Sequence, residues 1–367
     1  MSESKGWIAA HDPTHGSFRF TDRPLPVLLP QGTLMLEFNL VRGETGPLSL
    51  VQLEHRTAAW RAFLSLSLDG HGRITLTQRR GDEVRSISLD ASAELMTGGR
   101  MRMSWRWDGP GREGLLTLKA LDHGSLRQHS INAPLPMTRD EAMALVSGDG
   151  RARIGPRVIW LAIGDHLHPL GPGACFAPST PIETPNGPRP AAHLKAGDEV
   201  LTADAGVQEV IWSGRVSLPA LGQLRPVQLR APVFAETRDL WLLPQHHIAV
   251  GGPSVDFLLG EDKVLIEARH LVDGCTALQP DRPALLSWQG LLLRGHHLLI
   301  ADGCEIESLQ IGGLARRPLL AATTALSALA RAGTLPLHSK PAIKIASEYE
   351  AATLASARRQ RSGPVAA

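Results

Sequence analysis

Met101-Arg102-Met103-Ser104-Trp105-Arg106-Trp107 sets a large apolar residue at every second position, with Arg or Ser between. A repeat of two marks a strand with one buried and one wet face, because successive side chains leave a strand on opposite sides. The pattern extends in both directions. Upstream, Leu34, Leu36, Phe38 and Leu40 share a face, as do Leu64, Leu66 and Leu68. Ile74 and Leu76 follow the Gly-rich turn Asp69-Gly70-His71-Gly72, and Val84, Ile87 and Leu89 come next. Downstream, Leu116 and Leu118 continue the series, and the run Val158-Ile159-Trp160-Leu161-Ala162-Ile163 closes it. Short strands separated by Gly and Asp turns, each with a polar face, predict an antiparallel β-sandwich.

Around these strands, residues 1–30 are rich in Pro and His and read as irregular. Residues 138–147 read as one short helix. Thr138 would cap it, and Glu141 stands three residues later, the spacing of a capping box. The strand run resembles the concanavalin-like jelly rolls of laminin-G type. That resemblance implies a carbohydrate or cell-surface ligand for this half.

The 367 residues suffice for two domains with separate cores. With 38 basic and 36 acidic side chains the net charge is only +2, which offers no basic footprint for nucleic acid. Arg79-Arg80, Arg316-Arg317 and Arg358-Arg359 read as solvated surface. The Cys residues, 175, 275 and 304, are odd in number and widely spaced, which is no disulfide framework. That count suits a reducing compartment or a thiol with a task. Cys275 and Cys304 are expected in the core. The N-terminus lacks the apolar region of a secretory signal, and no apolar run nears the length of a membrane span. The expected location is the cytoplasm, or outside the cell by a signal-independent route. No calcium-binding Gly-Gly-x-Gly-x-Asp repeat occurs, and no cofactor is implied.

His166-Leu167-His168-Pro169-Leu170-Gly171-Pro172-Gly173-Ala174 is too rich in Pro and Gly to continue a strand or helix. It divides a first domain, 1–168, from the remainder of the chain, with 169–174 as the linker. Residues 175–312 are again β-rich. Beyond Gly313 the composition turns to Ala, Leu and Arg, predicting a helical tail over 313–367. Pro318 would open a helix reaching Ala332 with Gly333 as its stop. Its stripe would be Leu319, Ala322, Leu326 and Leu329, docked on the protein itself. A second helix is expected from about Ser347 to Arg361.

Four segments come after the linker in order. They are Cys175-Phe176-Ala177-Pro178-Ser179-Thr180, Leu194-Lys195-Ala196-Gly197-Asp198-Glu199-Val200, Leu243-Pro244-Gln245-His246-His247, and His296-His297-Leu298-Leu299-Ile300-Ala301-Asp302-Gly303 with Glu307-Ser308. Together they resemble the bacterial Hint domains of the Hedgehog/intein superfamily over roughly 175–312. The resemblance implies a compact, horseshoe-like, pseudo-twofold all-β fold. It also implies an autoprocessing step in which the Cys175 thiol attacks the carbonyl of Ala174 and converts the amide to a thioester. The residue types suit that chemistry. A thiolate is a good nucleophile, and attack from the adjacent residue is intramolecular. The amine leaving group needs a proton, and the family's His maps to His246. His296 and Asp198 are further catalytic candidates. For Asp198 the alternative is a turn cap.

The chain departs from the family pattern at several points. Leu243 stands where a hydroxyl residue three before the motif His normally supports the scissile carbonyl. Ser179 replaces a usual Gly, and His247 a usual basic residue. No Asn precedes a Cys, Ser or Thr at the domain's end, so cleavage or acyl transfer is expected, without splicing. Leu243 also fits a decayed domain within a two-domain binding or structural protein. A metal site built from His246, His247, His296, His297 and the Cys residues is a further alternative, against which stands the lack of paired ligand spacing.

Overall fold

The strand Gly99–Asp108 carries the 101–107 alternation and lies between Gln31–Leu40 and Glu113–Ala120. Met101, Met103, Trp105 and Trp107 are all buried. The structure is a computed structural model that describes residues 5–43, 46–56, 61–171, 175–234 and 236–361, with backbone alone at 358–361. It divides into two compact units, Met1–His168 with Pro283–Leu285, and Pro169–Arg282 with Leu286–Ala367.

In the first unit, a seven-stranded sheet runs Leu126–Asn132, Glu113–Ala120, Gly99–Asp108, Gln31–Leu40, Val158–Gly164, Trp7–Asp12, Gly16–Arg19. A five-stranded sheet runs Ala152–Ile154, Leu48–Arg56, Arg61–Leu68, Arg73–Arg80, Glu83–Asp90. The strand pairings within both sheets are antiparallel. One core holds Leu34, Leu36 and Phe38 from the first sheet with Leu64, Leu66, Ile74 and Leu76 from the second, which is a sandwich. Each such side chain stabilises the fold by about 1.5–3 kcal/mol relative to exposure. Gly32 faces Trp107 across its strand pair, and a Cβ there would lie 2.2 Å from the indole. The position tolerates only hydrogen.

Thr138 and Glu141 form the expected capping box on helix Arg139–Ser147. The Thr138 hydroxyl accepts from the Glu141 N–H at 3.2 Å, and Glu141 accepts from the Thr138 N–H at 2.8 Å.

Several expectations need correction. Residues 1–30 are not irregular throughout. Trp7–Asp12 pairs with Val158–Gly164, and Trp7 and Ile8 are buried, so the apolar run Trp7-Ile8-Ala9-Ala10 outweighs the nearby Pro and His residues. Arg80 is not simply solvated, because it bonds Glu141 at 2.9 Å and the Pro136 carbonyl at 2.6 Å. His166 and His168 lie at the end of the first unit. The Thr33 hydroxyl donates to the His166 carbonyl at 2.6 Å and accepts from the His168 N–H at 2.9 Å.

The second unit contains a nine-stranded sheet. Its main path runs Lys263–Glu267, His247–Gly251, Cys304–Glu307, Leu298–Ala301, Glu199–Thr202, Gly206–Pro219, Leu285–Leu293. A three-stranded sheet of Leu240–Leu242, Val227–Leu229 and Ala277–Leu278 accompanies it. Asp302-Gly303 forms the hairpin between Leu298–Ala301 and Cys304–Glu307, with φ of 52° and 87°. Positive φ at both positions matches the strand twist, and Asp-Gly suits it.

The tail is helical but interrupted. Pro318–Ala322 and Ser327–Ala332 replace the single expected helix, and Gly333 ends the second at φ 67°. The Thr323 and Thr324 hydroxyls each bond back to a carbonyl three residues earlier, at 2.8 Å, where β-branched residues already disfavour continuation. Leu319 is exposed and Leu326 buried, so the expected stripe holds only in its second half. The helix Glu348–Arg361 begins where Ser347 caps it, and Ala351 and Leu354 join the core of this unit.

Candidate active site

Cys175 enters the second unit on a short extended segment held on both sides. The Phe176 N–H donates to the Gln289 carbonyl at 3.1 Å, and the Gln289 N–H returns a bond of 2.8 Å. The Ala177 N–H donates to the Trp241 carbonyl at 2.9 Å, and the Leu243 N–H to the Cys175 carbonyl at 3.0 Å. Cys175 is thereby fixed and buried. Burial pushes its thiol well above the usual range, and the negative charge of Glu307 adds to the effect. Ala174, the other half of the expected scissile bond, lies outside the described residues.

His246 ends a tight turn in which its N–H donates to the Leu243 carbonyl at 2.9 Å, and its carbonyl accepts from Ala268 at 2.8 Å. The imidazole is fully buried and meets the Phe176 ring edge to face. Neither ring nitrogen has a hydrogen-bond partner among the described residues. Burial lowers its pKa to about 4, against the opposing pull of Glu307, so the ring is neutral at physiological pH.

Glu307 is the hub. Its carboxylate accepts from the His247 N–H at 2.9 Å, from His247 Nδ1 at 2.8 Å and from His296 Nε2 at 3.1 Å. Burial alone would raise its pKa, but the bonds from His247 and His296 bring it down to about 2. His247 is lowered by burial and raised by Glu307, and the latter prevails. The Glu307 carboxylate is thus held ionised between two imidazole donors.

Of the sequence candidates, Cys175, His246 and His296 fall into this one electrostatic neighbourhood. Asp198 does not join it. Its carboxylate caps the turn at the Lys195 N–H at 2.8 Å, with Arg189 at 3.4 Å, which is the turn-cap alternative. His297 turns away to Asp204 at 2.9 Å. Cys304 is buried, its thiol pushed up to about 12 by burial. Cys275 is exposed, contrary to the expectation of a core position, because it sits in the turn that Asp273 caps. Among the described residues no group of three or more His, Cys, Asp or Glu is arranged to hold a metal ion. Nor, among them, is any helix long and apolar enough to cross a membrane.

Sequence reasoning passed over Glu307 as a site residue. Glu307 stands in the fourth motif, but its place on the polar positions of Cys304-Glu305-Ile306-Glu307 gave it no role until its two imidazole partners were seen.

No curated protein matches the chain. Among solved structures, the CBM40 module of the Ruminococcus gnavus IT-sialidase bound to alpha2,6 sialyllactose is 11% identical, with a TM-score of 0.27 over 37% of this chain and 77% of that one. The gp41-1 intein is 13% identical, with a TM-score of 0.24 over 37% of this chain and 98% of that one. The family model described as the Hint domain matches residues 174–313, the stretch that holds Cys175, His246, His296 and Glu307. Residues 174–313 of this chain belong to the Hint domain family.

Proposed function

We propose that this Hint domain processes its own chain, and that His246 carries the reading: a fully buried imidazole beside the Cys175 segment with neither nitrogen engaged among the described residues. Buried polar atoms without partners are uncommon, and a catalytic role is one physical reason to keep them. In the proposed step, Cys175 Sγ attacks the carbonyl carbon of Ala174. The S–C bond forms, the C–N bond breaks, and the thiol proton ends on the Cys175 amine. The conversion is an isomerisation of amide to thioester, with no change of oxidation state. His246, neutral at rest, takes the proton from sulfur and delivers it to the departing nitrogen.

The electrostatics make this a guarded reaction. A thiol raised by burial is a poor acid, and an imidazole lowered to about 4 is a poor base, so the resting pair stays uncharged. As an imidazolium, the same His246 is a strong acid toward the leaving amine. Glu307 favours that imidazolium while disfavouring the thiolate. Water then cleaves the thioester, or another nucleophile accepts the acyl group. The products of hydrolysis are a chain ending at Ala174 and one beginning with Cys175. Splicing has no candidate Asn. The cargo is the N-terminal sandwich, whose jelly-roll resemblance supports a carbohydrate or cell-surface ligand.

Mass spectrometry of the purified protein, with and without dithiothreitol, tests the proposal. A fragment ending at Ala174 is expected, and Cys175→Ala should abolish it. Intact chain from both proteins under both conditions would sink the proposal. A second reading is favoured by one observation. Leu243, in the place of a hydroxyl residue, is buried and spends its N–H on the Cys175 carbonyl, so oxyanion support from this position is lacking. On that reading the domain is inert and holds two β modules in one chain.

A further inference from the structure

The family match ends at residue 313, yet the chain beyond it returns to the site. The Ala342 N–H donates to His296 Nδ1 at 2.9 Å. Around it, Leu265 exchanges backbone bonds with Lys344 and Ala346 at 2.8 and 2.9 Å. His338 bridges the Leu293 carbonyl and the Ile311 N–H at 3.2 and 3.3 Å. Residues 338–346 are thus stitched onto the Hint body at several points.

We infer that this tail segment is a working part of the site: the Ala342 amide makes His296 Nδ1 an acceptor, which obliges His296 to carry its proton on Nε2 and to donate it to Glu307. A nitrogen that accepts a hydrogen bond cannot also hold a proton, and neutral imidazole has one proton to place. His296 is fully buried in its side chain, so a rotated ring has no solvent to turn to. With His296 as a fixed donor on one oxygen and His247 on the other, Glu307 stays ionised and oriented. Its charge is what acts on His246 and Cys175. Ala342 and His296 are positioning residues, acting through Glu307.

The inference rests on the self-processing proposal only for its kinetic consequence. Its structural core is tested in full-length Cys175→Ala protein, which cannot react, by NMR of 15N-labelled histidine and alanine. The expected spectrum shows His296 as a single Nε2–H tautomer, with a scalar coupling between the Ala342 nitrogen and His296 Nδ1 across the hydrogen bond. An Nδ1–H tautomer, or the absence of that coupling, overturns the inference whether or not the protein ever cleaves. Ala342→Pro deletes the donor and should return His296 to a tautomer mixture. In the reactive chain it should slow processing by about 10-fold, the scale on which hydrogen-bond partners that orient metal-bound histidines act. If Ala342→Pro fails to fold, the coupling and the His296 tautomer in the parent chain decide the matter alone. A folded Ala342→Pro protein whose His296 signals match the parent's refutes it.

Discussion

The Phe176 ring meets the His246 imidazole edge to face, with centroids 5.6 Å apart and planes at 80°. This contact ties the residue after the nucleophile to the expected proton carrier. Because Phe176 is itself clamped to Gln289, the imidazole is referenced to the backbone of the Cys175 segment.

Removing the imidazole should therefore separate binding from chemistry. His246→Gln keeps a polar group of similar size but cannot shuttle a proton. Processing is expected to fall by about 10²- to 10⁴-fold, the contribution of general acid–base catalysis. The rate of appearance of the fragment ending at Ala174 is the readout. An unchanged rate would remove His246 from the mechanism.

His246 should also leave a signature in stability. Its pKa is about 4 when folded, against 6.5 for the unfolded side chain, so below pH 6.5 the unfolded state binds more protons. The stability it contributes is fully present above pH 6.5 and is lost as pH falls toward 4, by about 3 kcal/mol in all. His166, His168, His270 and His338 are lowered too, so the difference between Cys175→Ala and Cys175→Ala/His246→Gln isolates the term. Urea denaturation from pH 7 to pH 4 should show the shallower slope in the double variant. Parallel slopes would contradict the burial of a neutral imidazole.

Glu307→Ala should cost about 1–3 kcal/mol, because it leaves the buried His296 donor without its acceptor and takes one from the half-buried His247. Glu307→Gln should cost less, since it keeps an acceptor oxygen. It should also lower the pKa of His246 further and bring the Cys175 thiol down, because Glu307 raises both. Urea midpoints of the second unit and thiol titration with a thiol-specific reagent check the two halves.

In the first unit, Thr138→Ala removes the hydroxyl that accepts the Glu141 N–H. A loss of about 1 kcal/mol in the unfolding of that unit is expected, as for other helix caps. No change in processing should accompany it, which makes the variant a control for the Cys175 and His246 substitutions.

Local chemistry made much of this protein legible in its sequence. Period-two runs such as 101–107 specify strands wherever one face is buried, because a slip of one residue would turn every Trp and Met outward. Thr138 with Glu141 wrote its own helix start, since a capping box depends on neighbours within three residues. The ordered motifs brought Cys175, His246 and His296 to notice. Other features depend on partners far along the chain. Trp7–Asp12 became a strand through Val158–Gly164, and Thr323 and Thr324 divided a helix that its Ala and Leu content alone would have continued. Glu307 sits in the fourth motif without an assigned role until folding sets it between two imidazoles, and Ala342 carries no signal at all, because what it offers is a backbone N–H that every residue but proline possesses. Side-chain type and spacing name the reactive groups, but their protonation is set by burial and by charges brought near in space, which only the tertiary structure supplies.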